Sequence, residues 1–135
     1  MTLCDAGPLI ALLNRSDAHH AIVSIAIKEI RLPLVTSWAA IAEAMHMLNL
    51  AGGWSAQSRL LAMMERRVIT VFAIEHRHLS RIREFMAKYA DHPMDLADAT
   101  LLVAAEELKL RRIFTLDEDF RVYRMKGRRQ LQVIP

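Results

Sequence analysis

The 135 residues contain only one cysteine, four glycines and four prolines. The single Cys4 excludes an internal disulfide framework and every cysteine-rich zinc site. So little Gly and Pro excludes collagen-like and low-complexity chains. Aromatic residues make up 6%, too few for the base-stacking surface of a single-strand binder. No apolar run approaches the ~18 residues of a membrane span. The opening Met1-Thr2-Leu3-Cys4-Asp5 puts an acid where a signal peptide carries a basic segment. From these absences we expect a soluble, cytoplasmic protein with a reduced thiol.

What is present suits one globular domain, residues 1–135. Hydrophobic residues make up 53% and charged residues 24%, and a chain of this length buries roughly two thirds of its unfolded surface. Eighteen Lys and Arg against fifteen Asp and Glu leave a net charge of +3. That balance permits a polyanionic partner without diagnosing one. The C-terminal region is more basic, with Arg121, Arg124, Lys126, Arg128 and Arg129 close together.

Short apolar runs alternate with longer helical patterns. Thr2-Leu3-Cys4 predicts a strand, and Leu9 to Leu13 a turn or two of helix. Asp17 is placed to cap a helix reaching about Ile30. Strand Pro33 to Thr36 precedes a helix capped by Ser37, which Gly52-Gly53 should end near Leu50. Another helix is expected from Ser55 to about Arg67. The β-branched and aromatic run Val68 to Phe72 is the clearest strand. Helices about Glu75–Tyr89 and Leu96–Lys109 follow, with strands at Arg112–Thr115 and Leu131–Ile134. Strands separated by helices imply βαβ crossovers. The expected fold class is α/β, three layers (α/β/α) around a mostly parallel central sheet.

Ligands of open α/β sheets bind outside the carboxyl ends of the strands. Asp5 falls just after the first strand and Asp117 just after the fourth, with Asp119 two residues on. Glu43 and Asp98 instead sit inside apolar helical stretches, flanked by Ala42 and Ala44 and by Ala97 and Ala99. Each acid alone has an ordinary explanation. Asp5 and Asp95 suit helix caps, Asp98 a first helical turn, Glu43 an exposed helix face, Asp117 and Asp119 a turn. Together they suggest a carboxylate cluster. Two carboxylates 4 Å apart repel by about 4 kcal/mol at an effective dielectric near 20. A divalent cation would relieve that, and all-oxygen ligands favour Mg²⁺, Mn²⁺ or Ca²⁺ over zinc.

In order and spacing these stretches resemble the PIN-domain family. The resemblance is carried by Asp5-Ala6-Gly7-Pro8-Leu9-Ile10, Glu43 in the helix after the second strand, Leu96-Ala97-Asp98-Ala99, and Thr115-Leu116-Asp117-Glu118-Asp119-Phe120. It covers nearly the whole chain. The compact length is most similar to VapC-type toxins of toxin–antitoxin pairs. The resemblance implies a Mg²⁺- or Mn²⁺-dependent endoribonuclease with Asp5, Glu43, Asp98 and Asp117 as the acidic quartet. It makes Asp119 a further metal-ligand candidate and Thr115 a hydroxyl that helps hold water at the metal. It also implies an RNA substrate, a cognate antitoxin protein and a homodimer. Gly7-Pro8 departs from the family's usual small-polar start, and Cys4 takes an apolar strand position.

Metal-assisted hydrolysis follows from such residues: the cation activates water and neutralises phosphodiester charge, while carboxylates orient or deprotonate the water. We expect in-line attack without a covalent intermediate, and the basic C-terminal stretch adding RNA affinity. Two other readings of the resemblance are a catalytically idle PIN-like module that binds RNA or protein, and an RNA-processing nuclease that is not a toxin. A receiver-like signalling domain lacks its aspartate and lysine at the required strand ends. Glu43 and His46 match a di-iron Glu-x-x-His without the second copy that a bundle needs. His19-His20 have no ligand-spaced partner, and no nucleotide-cradling glycine motif occurs.

Overall fold

The structure, a computed structural model, describes residues 1–135. Five short strands form one sheet: β1 (Thr2–Cys4), β2 (Leu34–Thr36), β3 (Ile69–Val71), β4 (Arg112–Phe114) and β5 (Gln132–Ile134). Their order is β3-β2-β1-β4-β5, and every pair is parallel. The sheet is therefore wholly parallel, where the sequence predicts a mostly parallel one.

Side chains alternate across a strand, and here both faces are covered. Leu3, Val35 and Ile113 point into a core with Ile82 and Phe85 of α4 (Leu79–Lys88) and Leu101 and Leu102 of α5 (Leu96–Leu108). Their neighbours Cys4, Leu34 and Phe114 point the other way. They meet Leu9 of α1 (Ala6–Leu13), Val23 of α2 (His20–Ala26), and Ala40 and Leu48 of α3 (Trp38–Glu65). This double burial is why the strands read as continuous apolar runs. The three expected layers are present.

Several helix boundaries differ from expectation. Asp17 does not cap α2. Its carboxylate accepts the His19 N–H at 2.8 Å in a local turn, and the helix starts at His20. Short Asp side chains often close such turns in competition with capping. Helix α2 ends at Ala26 and passes through a 3-10 turn, Ile27–Glu29. Glu75 begins a 3-10 turn, His76–His78, that leads into α4. Pro8 sits at the third position of α1, where its missing N–H costs no helical bond.

Gly52-Gly53 separates two helical segments, as expected. The span α3 reaches Glu65 but breaks at Gly53, whose φ 60° and ψ −152° are not helical. Only glycine occupies that region readily. No helix is long and apolar enough to cross a membrane.

Gly53→Ala should keep the far-UV circular dichroism spectrum but lower stability by about 1–3 kcal/mol in a urea melt. No steric clash explains such a loss, because nothing lies within 4 Å of an added Cβ.

Candidate active site

In the strand order β3-β2-β1-β4-β5 the chain leaves β1 toward β2 on one side and later adds β4 on the other. The crevice beyond the carboxyl ends of β1 and β4 is the topological switch point, where open α/β sheets bind ligands. Asp5 follows β1, and Asp117 follows β4 by three residues. Helix α5 brings Asp98 to the same crevice in its first turn. One carboxylate oxygen from each of Asp5, Asp98 and Asp117 lies within 4.8 Å of the others.

Each carboxylate is held on one side by a local bond. Asp5 caps α1, accepting the Ala6 N–H at 2.7 Å through Oδ1. Its Oδ2 accepts the Thr115 hydroxyl at 3.0 Å. That hydroxyl in turn accepts the Asp117 N–H at 3.0 Å. Thr115 thus ties the end of β1 to the turn after β4. Asp117 Oδ1 accepts the Asp119 N–H at 2.9 Å. Asp95 caps α5 by accepting the Asp98 N–H at 2.8 Å. Asp98 returns the bond through Oδ2, which also takes the Tyr123 hydroxyl at 3.3 Å. Asp98 Oδ1 and Asp117 Oδ2 have no hydrogen-bond donor from the protein, so both remain open to a ligand.

No lysine, arginine or histidine forms an ion pair with any of the three. The protonation equilibria reflect that. Burial pushes Asp5 up from its ordinary value, and the Asp117 and Asp95 charges add to it against the bonds from Ala6 and Thr115. Burial, then Asp95 and Asp5, push Asp98 up to about 7. Glu43 also rises, first through loss of solvent and then through Asp5, Asp95 and Asp117. Tyr123 is held well above the ordinary phenol value by burial, followed by the Asp98, Asp119 and Asp117 charges. It therefore stays a donor at neutral pH.

Of the five acids singled out in the sequence, Asp5, Asp98 and Asp117 come together. Glu43 lies exposed on α3, outside the trio but within reach of its field. Asp119 also lies outside the trio, and its main chain braces Asp117. Thr115 is buried between two carboxylates, with its proton committed to Asp5. Cys4 is fully buried, and burial raises its thiol well above the ordinary range, so it is a core residue. Two participants escaped the sequence reading. Asp95 was legible as a helix cap, and the Asp-x-x-Asp box already placed its charge beside Asp98. Tyr123 gave no signal, because its contact with Asp98 joins residues 25 apart.

A trio of unpaired acids, Asp5 and Asp98 buried and Asp117 half-buried, can take a divalent cation. At 4.8 Å two carboxylates repel by about 3.5 kcal/mol at an effective dielectric near 20. The all-oxygen donor set fits a hard ion such as Mg²⁺ or Mn²⁺. Fold and site together define a parallel α/β/α domain with a carboxylate cluster at its switch point. The PIN-domain family model matches residues 2–125, and the chain belongs to that family. Among solved structures it is similar to the Mycobacterium tuberculosis toxin VapC20, described as a Sarcin-Ricin loop cleaving toxin. The TM-score is 0.82 at 20% identity, over 90% of this chain and 94% of that one. No curated protein matches.

The raised Asp98 value has a sign that can be checked. Between its ordinary 3.8 and about 7 the folded state binds more protons than the unfolded chain. Stability without metal should therefore fall as pH rises through that window. Asp98→Asn should flatten the fall and stabilise the metal-free protein by on the order of 1 kcal/mol at pH 7.5, after solvent screening. Thermal melts at pH 4.5 and pH 7.5 in chelator would detect this. A steeper fall in the variant would remove Asp98 as its source.

Proposed function

We propose that this chain is a divalent-metal-dependent endoribonuclease and the toxin of a toxin–antitoxin pair. The observation that carries the reading is the trio Asp5, Asp98 and Asp117, sharing a space of 4.8 Å with no cation from the protein. Membership of the PIN-domain family and the likeness to an RNA-cleaving toxin support it.

The three aspartates are assigned as ligands of Mg²⁺ or Mn²⁺. When bound, the ion would neutralise them and supply Lewis-acid activation of water and phosphodiester. Asp5 and Asp117 are kept in register by Thr115, so the set need not reorganise when loaded. Asp98 is steered by Asp95 and Tyr123, which hold Oδ2 and leave Oδ1 for the ion. Glu43, accessible and raised in pKa, is assigned to proton transfer with the attacking water. Asp119 acts by fixing Asp117. Attack is in line, and the product leaves without a covalent intermediate.

A cognate antitoxin and a second copy of the chain are the protein partners this reading implies. An apolar groove of about 280 Å³ between α3, α4 and α5 supports a protein partner, with Trp38, Leu79 and Leu96 exposed on its rim. The protein would act in the cytoplasm.

Two measurements test the proposal. Asp98→Asn should abolish Mg²⁺-dependent RNA cleavage, by at least about a hundredfold, while keeping a cooperative melt. Mn²⁺ at a hundredfold excess over Kd should stabilise the wild type by about 2.7 kcal/mol, and Asp5→Asn/Asp98→Asn not at all. Cleavage that survives chelator, or equal metal shifts in both proteins, would place the chemistry elsewhere.

A further inference from the structure

The basic residues are not where the C-terminal run of the sequence suggests. Arg121 pairs with Glu118 at 2.6 Å. Arg124 donates through Nη1 to the carbonyls of Arg121, Val122 and Tyr123. Both close their own turn. The free cations lie further along, at the end of the sheet away from the aspartates.

Three concave surfaces meet there. The first, about 420 Å³, lies between α4, α5 and the 3-10 turn Lys126–Arg128, with Arg77, Lys126 and Arg129 on its wall. The second, about 320 Å³, shares Arg129 with the first and adds Arg111. The third, about 290 Å³, shares Arg111 with the second and adds Arg31, Lys109 and Arg112, with no carboxylate in its lining. Shared walls make them one continuous band.

Only Glu106 and Glu107 intrude, and both are engaged. Glu106 takes two bonds from Arg81 and one from the Lys126 N–H. Glu107 pairs with Arg77. The side chains of Lys126, Arg129, Arg111, Lys109 and Arg31 form no ion pair. Arg129 donates through Nε to the Lys126 carbonyl at 3.3 Å and keeps both Nη groups for another partner. His78 lies in the wall of the first surface, its Nδ1 accepting the Glu75 N–H at 2.9 Å and its Nε2 facing Glu107 Oε1 at 3.3 Å. Glu107 is thus turned toward Arg77 and His78, and the cations of the band keep their charge uncompensated.

The band connects with the aspartates. After Asp117 the chain runs along α5, touching Asp98 through Tyr123 and Glu106 through Lys126. Those contacts are eight residues apart on the helix, about 12 Å. Each nucleic-acid strand carries a phosphate about every 3.4 Å of helix axis, so about four nucleotides cover the distance. We infer that this band is a second docking surface for the RNA backbone, engaging phosphates outside the segment that is cut. The inference rests on the nuclease reading and names the part of the substrate that reading leaves unassigned.

The test compares a hairpin RNA with an RNA of about four nucleotides, which reaches the aspartates alone. Lys126→Ala/Arg129→Ala/Arg111→Ala should raise KM for the hairpin and leave its kcat unchanged. Both constants for the short RNA should stay the same. The log–log salt dependence of hairpin binding, measured in chelator, should flatten by about 2, at ~0.7 per lost phosphate contact. Lys126→Arg/Arg129→Lys/Arg111→Lys should keep the wild-type slope, which separates charge from folding. An unchanged hairpin KM and slope in the alanine variant overturns the band while the nuclease reading stands. Wild-type protein that binds the hairpin through the band but never cuts it overturns the nuclease reading alone. No binding of either RNA overturns both.

Discussion

Repulsion among Asp5, Asp98 and Asp117 is the constraint the rest of the molecule answers to. Each acid arrives on a different element, and none has a basic partner. Such a cluster raises the free energy of the folded state at neutral pH, and the fold must offset it elsewhere. Helix caps do part of this. Asp5 and Asp95 bind N–H groups of helix starts, where the dipole favours negative charge. Thr115 does another part, joining the two strand ends through one hydroxyl. The two apolar cores supply the remainder, since both faces of the sheet are sealed.

The same frame sorts charge along the strand direction. Each strand is only three residues long, about 10 Å, so the two ends of the sheet are close. The aspartate trio lies at the carboxyl ends and the band of unpaired cations toward the amino ends. The net charge of +3 does not reveal that local separation. A polyanion that meets the basic end is held near the acidic end without having to be attracted by it. On the proposed nuclease reading, a metal ion held by the aspartates would offset their repulsion with a phosphate backbone.

The architecture was largely legible in the residues. Apolar runs with β-branched residues marked the strands, and helical patterns between them implied parallel crossovers. Gly52-Gly53 broke the helix where the sequence placed the break. Asp17 was misjudged, because it is a local signal with two outcomes, a cap or a turn. The choice is set where α2 docks on α1, His20 Nδ1 meeting the Ala11 carbonyl at 2.7 Å, and that lies outside any short window of sequence.

The acids themselves were also legible, because strand ends and small flanking alanines single them out. The sequence by itself determined which carboxylates exist and which elements carry them. Only the tertiary structure decided that three converge while Glu43 and Asp119 stand apart, and that Tyr123 joins Asp98. It also decided that Arg121 and Arg124 are occupied at home and that cations from residues 31, 109, 111, 126 and 129 form one band. The reason is physical. Residue type and periodicity act over a few positions, whereas electrostatic partnership depends on distances across the fold, and those are set only when the sheet closes its order.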